Sequence, residues 1–194
     1  MNTDFIIILI FSYTIGSIPF GLIITKIFLR KDVRNIGSGN IGATNVLRTG
    51  KKSLAILTLF LDIFKGFIVI FYVSRYYENF IYLSGLVCFL GHIFPCWLRF
   101  KGGKGIATYL GIILALSIKL FLIFSFIWLL SLFLTRYSSI SSIISALFIF
   151  TYAFFNLDNY QVYMLFSMFI IILYTHRENI IRLKNKTENK VKFK

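Results

Sequence analysis

The sequence predicts an all-α, polytopic integral membrane protein with seven transmembrane helices, some of them short or broken, the N-terminus outside and the C-terminus inside. Composition is the first reason. Of 194 residues, 58% are hydrophobic and 14% charged, against roughly 45–50% and about 25% in soluble domains, and mean hydropathy is +0.81. Apolar runs then recur at bilayer-spanning lengths, and the lysines and arginines between them fall on one side.

The run 5–29 lacks a basic leader and a small-residue cleavage site, so it reads as a first transmembrane helix and not as a signal peptide. Within it, GSIPFG at 16–21 sets Pro19 between Gly16 and Gly21 and predicts a kink or break. The kink serves either close helix packing or a site lined by Ser17 and freed backbone. Runs 53–74 and 80–98 fit the roughly 17–25 residues that cross hydrocarbon. The first carries Asp62 and Lys65 on one helical face near mid-helix, where they either pair or meet a substrate. The second ends in GHIFPCW, 91–97, with His92 and Pro95 ahead of a cationic loop. Run 105–134 is too long for one upright helix, about 45 Å against about 30 Å of hydrocarbon. Lys119 in its middle divides it into 105–117 and 120–134, and runs 140–155 and 160–175 complete the count.

Charge selects seven segments over six. Lys and Arg number 21 against 7 Asp and Glu, a net +14. With seven, Arg30, Lys31, Arg34, Arg48, Lys51 and Lys52 share a side with Arg99, Lys101, Lys104, Arg136 and the tail cations Arg177, Arg182, Lys184, Lys186, Lys190, Lys192 and Lys194. The other side holds Arg75, Lys119 and the loop 156–159 with Asp158. Six would expose Arg136 and the tail outside, against the positive-inside rule. The basic excess therefore points to cytoplasmic loops and anionic lipid headgroups, with no nucleic acid and no obligatory protein partner implied. One transmembrane domain covers 1–194, its basic cytoplasmic tail from about 180 predicted to fray. Cys88 and Cys96 have neither metal nor disulfide spacing and read as inert thiols.

Four polar stretches carry the chemistry. The first is GSGNIGATNVLR, 37–48, in which five of twelve residues are Gly, Ala or Ser and one is charged. Gly37, Gly39 and Gly42 form G-x-G-x-x-G, but a membrane helix precedes them where a dinucleotide site needs a strand, and Ala43 stands where a Walker A loop needs lysine. What remains is a cradle of uncovered backbone N–H groups, the hydroxyls of Ser38 and Thr44, the amides of Asn40 and Asn45, and Arg48, a set suited to phosphate. The second, FKGGKG at 100–105, flanks Gly102 and Gly103 with Lys101 and Lys104 and opens into a helix. The paired glycines favour phosphate binding over a plain membrane-flanking basic loop. The third, HREN at 176–179, sets His176 and Asn179 on one helical face, structural or facing a pocket. The fourth, TRYSSISSI at 135–143, offers serines, Ser142 among them, that either bind phosphate or cap a helix. All four fall on the predicted cytoplasmic side. The sequence contains no H-x-x-x-x-D box, no carboxylate cluster for Mg²⁺, no G-x-S-x-G elbow and no convincing Cys–His pair, so neither a metal nor a cofactor is expected.

GSIPFG at 16–21, GSGNIGATNVLR at 37–48 and GHIFPCWLRFKGGKGIAT at 91–108, with LDIFKG at 61–66 and HRENIIRL at 176–183, resemble the bacterial membrane glycerol-3-phosphate acyltransferases that use acyl phosphate. The resemblance runs from residue 16 to about 190. It implies seven transmembrane helices in the bacterial cell membrane and an active site facing the cytoplasm. It further implies transfer of a fatty acyl group from acyl phosphate to the 1-hydroxyl of sn-glycerol 3-phosphate, giving lysophosphatidic acid and inorganic phosphate in phospholipid synthesis. It carries phosphate binding to Ser38, Thr44, Arg48, Lys101 or Lys104, Ser142, His176 and Asn179, and the flanking Gly39, Asn40, Gly42, Ala43, Asn45, Gly102 and Gly103 complete the expected binding set. Two departures stand out: Ser141 where Gly is usual, and Asn185–Lys186 in place of a Gly-containing tail.

Acyl phosphate is already activated, so orientation and charge stabilisation suffice, and direct attack by the glycerol hydroxyl on the acyl carbonyl is the expected route. Arg48 and Lys104 are the expected charge stabilisers, and the base is His176 or a substrate phosphate oxygen. A small membrane anion or phosphate transporter is the alternative of another class, and a non-catalytic lipid-binding scaffold is a third.

Overall fold

In hydrocarbon a backbone must satisfy its own N–H and C=O groups, and each apolar segment accordingly winds into helix. The computed structural model describes residues 3–191, and no strand occurs among them. Lys192 and Lys194 of the predicted cationic tail lie outside the described residues. The helices are α1 (Thr3–Gly16), α2 (Phe20–Leu29), α3 (Ala43–Leu47), α4 (Lys52–Tyr76), α5 (Ile81–Ile93), α6 (Ile106–Leu116), α7 (Ile118–Thr135), α8 (Ser138–Asn156), α9 (Asn159–Thr175) and α10 (Arg177–Lys184). Lys52–Tyr76, Glu78–Leu98, Ile118–Thr135 and Ser138–Asn156 are each long and apolar enough to cross a bilayer. Two bent pairs, α1 with α2 at 40° and α9 with α10 at 53°, are further candidates, and α6 is a shorter apolar helix. Large apolar side chains on the outer faces, such as Phe133, Leu134 and Phe155, stand 71–76% exposed, as a lipid-facing surface requires.

Two breaks refine the sequence reading. Pro19, which lacks an N–H, ends the first helix as expected, and the chain restarts at Phe20. The long run 105–134 breaks at Ser117, not at Lys119. Ser117 is extended and heads α7, while Lys119 sits in the first turn with Nζ 5.2 Å from the Tyr152 ring centroid. A long, flexible lysine leans on an aromatic face, so its charge does not have to interrupt the helix.

The chain divides at Ala115 and Leu116 into two compact units. In the first, small residues let helices touch. A Cβ on Gly16 of α1 would meet the Cys88 carbonyl oxygen of α5 at 2.1 Å, and one on Gly91 of α5 would meet the Tyr13 carbonyl oxygen at 2.5 Å. Gly66 of α4 and Gly111 of α6 likewise face the Thr108 and Ile63 carbonyls, with ideal Cβ positions at 2.3 and 1.9 Å. Lipid provides little hydrophobic drive between helices, so close backbone approach is a main source of cohesion. Val69, Ile70, Phe89, Tyr109, Ile112 and Ile113 are fully buried.

In the second unit α8 packs against both α7 and α9. The α8 serines point their hydroxyls back along the helix: Ser141 Oγ donates to Tyr137 O at 3.0 Å, Ser142 to Ser138 O at 2.9 Å and Ser145 to Ser141 O at 2.7 Å. This internal satisfaction lets them be buried, and it explains why serine is accommodated at 141. The tail expected to fray is anchored: α10 runs to Lys184, and Val191 N donates to Arg136 O at 2.8 Å. The anchor is Glu188, an acid within the basic tail.

Candidate active site

The stretch 30–50 is a folded loop built around one amide. Asn45 is buried, and its Nδ2 donates to Val33 O, Ile36 O and Asn40 O at 2.9, 2.9 and 2.8 Å, while its Oδ1 accepts from Ser38 N at 3.0 Å. Gly37 and Gly39 take left-handed φ of +54° and +72° to let the chain wrap round it. Asn40 Oδ1 accepts from Gly42 N at 2.8 Å, and Gly42 heads the short α3. Asp32 braces the entrance by accepting from Arg34 N, Nε and Nη2 at 3.0, 3.0 and 2.6 Å. The Arg34 guanidinium beside Asp32 holds its carboxyl down to about 2.

Three N–H groups of the expected cradle do not face outward. Ser38 N, Gly39 N and Gly42 N are spent within the loop, and the amides of Asn40 and Asn45 shape it. Ser38, Thr44 and Arg48 are exposed. The Arg48 side chain lies across Gly37, whose ideal Cβ would be 2.8 Å from Nη1. Among the described residues no carboxylate pairs with Arg48.

The stretch 94–105 is docked by backbone contacts onto the end of α5. Tyr13 Oη donates to Phe94 O at 2.7 Å and accepts from Cys96 N at 3.0 Å, and Trp97 Nε1 donates to Ser17 O at 2.8 Å. Ser17 thus meets a tryptophan through its backbone carbonyl. Gly102 N donates to Ile93 O at 2.9 Å and Gly103 N to His92 O at 3.1 Å. The N–H groups of the paired glycines, expected from the sequence to favour phosphate binding, are therefore spent on the end of α5. Their task is close approach: a Cβ on Gly102 would meet His92 O, and one on Gly103 would meet His92 Nε2, each at 2.1 Å. Lys101 is exposed and Lys104 half-buried.

Both loops rest on one apolar cluster, Leu22, Val33, Ile41, Val46 and Ala55, with Leu54 and Leu98 packed against it. Ile41 and Val46 come from the first loop and Leu98 leads into the second, so a shared floor carries Arg48 and the lysine loop.

In the second unit, Glu188 gathers three side chains from α8 and α10. Its Oε1 accepts from Ser139 Oγ at 3.0 Å and Asn179 Nδ2 at 2.5 Å, and its Oε2 from Arg182 Nε at 2.7 Å. Burial pushes the Glu188 carboxyl up, but the hydrogen bonds from Asn179, Arg182 and Ser139 outweigh it and hold the group below its ordinary range. His176 and Asn179 are buried at the bend between α9 and α10. His176 Nδ1 lies 2.9 Å from Ile172 O. A carbonyl can only accept, so Nδ1 carries a proton. Ser142 Oγ accepts from Trp128 Nε1 at 3.1 Å and caps no helix terminus.

The pair Asp62–Lys65 forms as the i, i+3 spacing allows, at 2.8 Å and 2% exposed on either side. Sequence reasoning left His92 outside it, yet Lys65 Nζ is 2.8 Å from His92 Nδ1 and 2.7 Å from Ile18 O. His92 lies on α5 and Ile18 at the break between α1 and α2, neither of which spacing along one helix reveals. Among the described residues no group of three His, Cys, Asp or Glu side chains is placed to hold a metal ion.

The pattern of the glycerol-3-phosphate acyltransferase family matches residues 6–186. The glycerol-3-phosphate acyltransferase of Pelagibacter ubique is 50% identical over 189 residues, 97% of this chain and 98% of its own. That of Mesorhizobium japonicum is 48% identical over 192 residues, 98% of either chain. The crystal structure of PlsY (YgiH), an integral membrane glycerol 3-phosphate acyltransferase, in its glycerol 3-phosphate form is similar with a TM-score of 0.92 at 37% identity, covering 96% of this chain and 95% of that one. Its lysophosphatidic acid form gives 0.89 at 36% identity, with the same coverage. With half its residues identical to those of one such relative and the pattern covering all but its ends, this chain belongs to the glycerol-3-phosphate acyltransferase family.

Proposed function

We propose that this protein transfers a fatty acyl group from acyl phosphate to the 1-hydroxyl of sn-glycerol 3-phosphate, releasing lysophosphatidic acid and inorganic phosphate. One observation carries the reading: the loop that bears Arg48 and the segment that leads into Lys101–Lys104 pack on one apolar cluster, and Ser38, Thr44 and Arg48 of the first loop are exposed. Two substrates that each bring a phosphate require cations and neutral donors without competing carboxylates. The relatives named for glycerol 3-phosphate acyl transfer support the acceptor.

The glycerol hydroxyl attacks the acyl carbonyl carbon, the carbon–oxygen bond to phosphate breaks, and phosphate leaves with the bonding pair. Arg48, Lys101 and Lys104 hold phosphate oxygens and stabilise the charge that gathers on them. Phosphate is a good leaving group, so no covalent acyl-enzyme is needed. The hydroxyl proton goes to His176 Nε2 or to a phosphate oxygen of substrate.

The four long spans, the two bent pairs and α6 together support seven crossings. The cation distribution supports a cytoplasmic C-terminus and a cytoplasmic face for the phosphate loops in the bacterial cell membrane. Purified protein in detergent, given acyl phosphate and glycerol 3-phosphate, is expected to release inorganic phosphate and form lysophosphatidic acid. Equal turnover with acyl-CoA as donor would overturn the choice of donor, and absence of any acyl transfer would overturn the reading.

A further inference from the structure

Asp62, Lys65 and His92 form a buried polar chain that no step of the reaction uses, 2–4% exposed in an apolar surround. Lys65 Nζ hydrogen-bonds His92 Nδ1 at 2.8 Å and Ile18 O at 2.7 Å and is ion-paired with Asp62 Oδ1 at 2.8 Å. An ammonium has only donors, so Nδ1 of His92 accepts and its proton sits on Nε2. That fixes the ring's tautomer and turns its Nε2 edge toward the lysine loop. There Gly103 lies so close that an added Cβ would be 2.1 Å from Nε2. The same residue's carbonyl accepts from Gly103 N at 3.1 Å, and the next carbonyl, Ile93 O, accepts from Gly102 N at 2.9 Å. His92 is thus held by charge from below and carries the Lys101–Lys104 loop above.

We propose that the Asp62–Lys65–His92 chain is a positioning device for that loop, fixing the height and direction from which its lysines meet substrate phosphate, without touching substrate itself. The proposal rests on the assignment of the loop to phosphate. Stability alone does not require this chain: a buried ion pair replaced by apolar residues of similar size often leaves a protein as stable or more so, and intramembrane charge is costly. What apolar residues cannot do is orient an imidazole by a directional contact at one nitrogen. Lys65 also grips the carbonyl beside the Pro19 break, so the device is referenced to two helices.

The test uses the full-length protein in detergent with acyl phosphate and glycerol 3-phosphate, and two variants. D62L/K65M removes the charges together and keeps apolar bulk. His92→Asn keeps an acceptor for Lys65 and removes the ring under Gly103. The expected result is a melting temperature near the parent's for D62L/K65M, amide exchange in 99–105 faster by about tenfold in both variants, and a KM for at least one substrate raised about fivefold or more with kcat within about threefold. A purely structural role would lower melting temperature and leave KM of the folded fraction unchanged. Unchanged exchange in 99–105 overturns the anchor. Faster exchange with both KM values unchanged overturns the loop's assignment to phosphate, and the proposal with it. Should D62L/K65M fail to fold, the apolar replacement has failed and His92→Asn decides by the same two readouts.

Discussion

Arg48 is an exposed guanidinium laid across Gly37, with no carboxylate pairing it among the described residues. A charge-assisted hydrogen bond is worth about 1.5–3 kcal/mol, and more when desolvated, so Arg48→Ala should lower kcat/KM by about tenfold to several hundredfold. Steady-state kinetics on the folded variant checks this, and an unchanged kcat/KM removes Arg48 from the site. Lys186 tests a departure from the family's usual tail. It holds φ of +59° where the chain turns after α10, a conformation that costs an L-residue about 1–2 kcal/mol. Lys186→Gly should therefore stabilise the protein by about 1 kcal/mol, seen as a higher melting temperature. Glu188 gives a pH signature. Its carboxyl lies below the ordinary range in the folded state, so its contribution is complete above the unfolded value of about 4.3 and is lost as pH falls through the lower folded value. The melting-temperature gap between parent and Glu188→Gln should be constant above about pH 5.5 and shrink in more acidic buffer. A gap independent of pH down to the acid limit of folding would contradict the latch.

At the scale of elements, glycine is the residue whose meaning the sequence leaves most open. GSGNIGATNVLR and FKGGKG are visible as phosphate-suited loops by composition alone, but composition does not say whether a glycine frees an N–H, reverses a chain or admits a neighbour. Gly37 and Gly39 reverse the chain around Asn45, whereas Gly102 and Gly103 admit His92. The helices themselves are legible because hydrocarbon leaves them no alternative, and the Pro19 break follows from a missing N–H. The helical place of Lys119 and the Glu188 anchor are not legible, since each depends on a partner far along the chain: Lys119 leans on Tyr152, and Ser139 Oγ donates to Glu188. Gly111 offers a direct test of helix contact. Its ideal Cβ lies 1.9 Å from Ile63 O, a backbone atom that cannot rotate away. Gly111→Ala should destabilise the first unit by about 1–3 kcal/mol, measured by thermal unfolding in detergent, and an unchanged melting temperature would show that α4 and α6 do not approach so closely.

At the scale of the whole molecule, a membrane-embedded helical fold carries the loops proposed to bind phosphate, and the side they face is open to experiment. Orientation is testable with the protein's own thiols. Cys96 is exposed in the turn that leads into the lysine loop, and Cys88 is buried. A membrane-impermeant maleimide should label Cys96 in inverted vesicles and not in right-side-out ones, and the reverse pattern would place the loops outside. The central claim is acyl transfer from acyl phosphate by a site in which Arg48 holds phosphate. The most direct measurement follows inorganic phosphate and lysophosphatidic acid together in purified protein and in Arg48→Ala. The parent should release both products in equal amounts and only with glycerol 3-phosphate present, and the folded variant should lose at least about tenfold in kcat/KM. Phosphate release independent of glycerol 3-phosphate, or a variant as active as the parent, would contradict it.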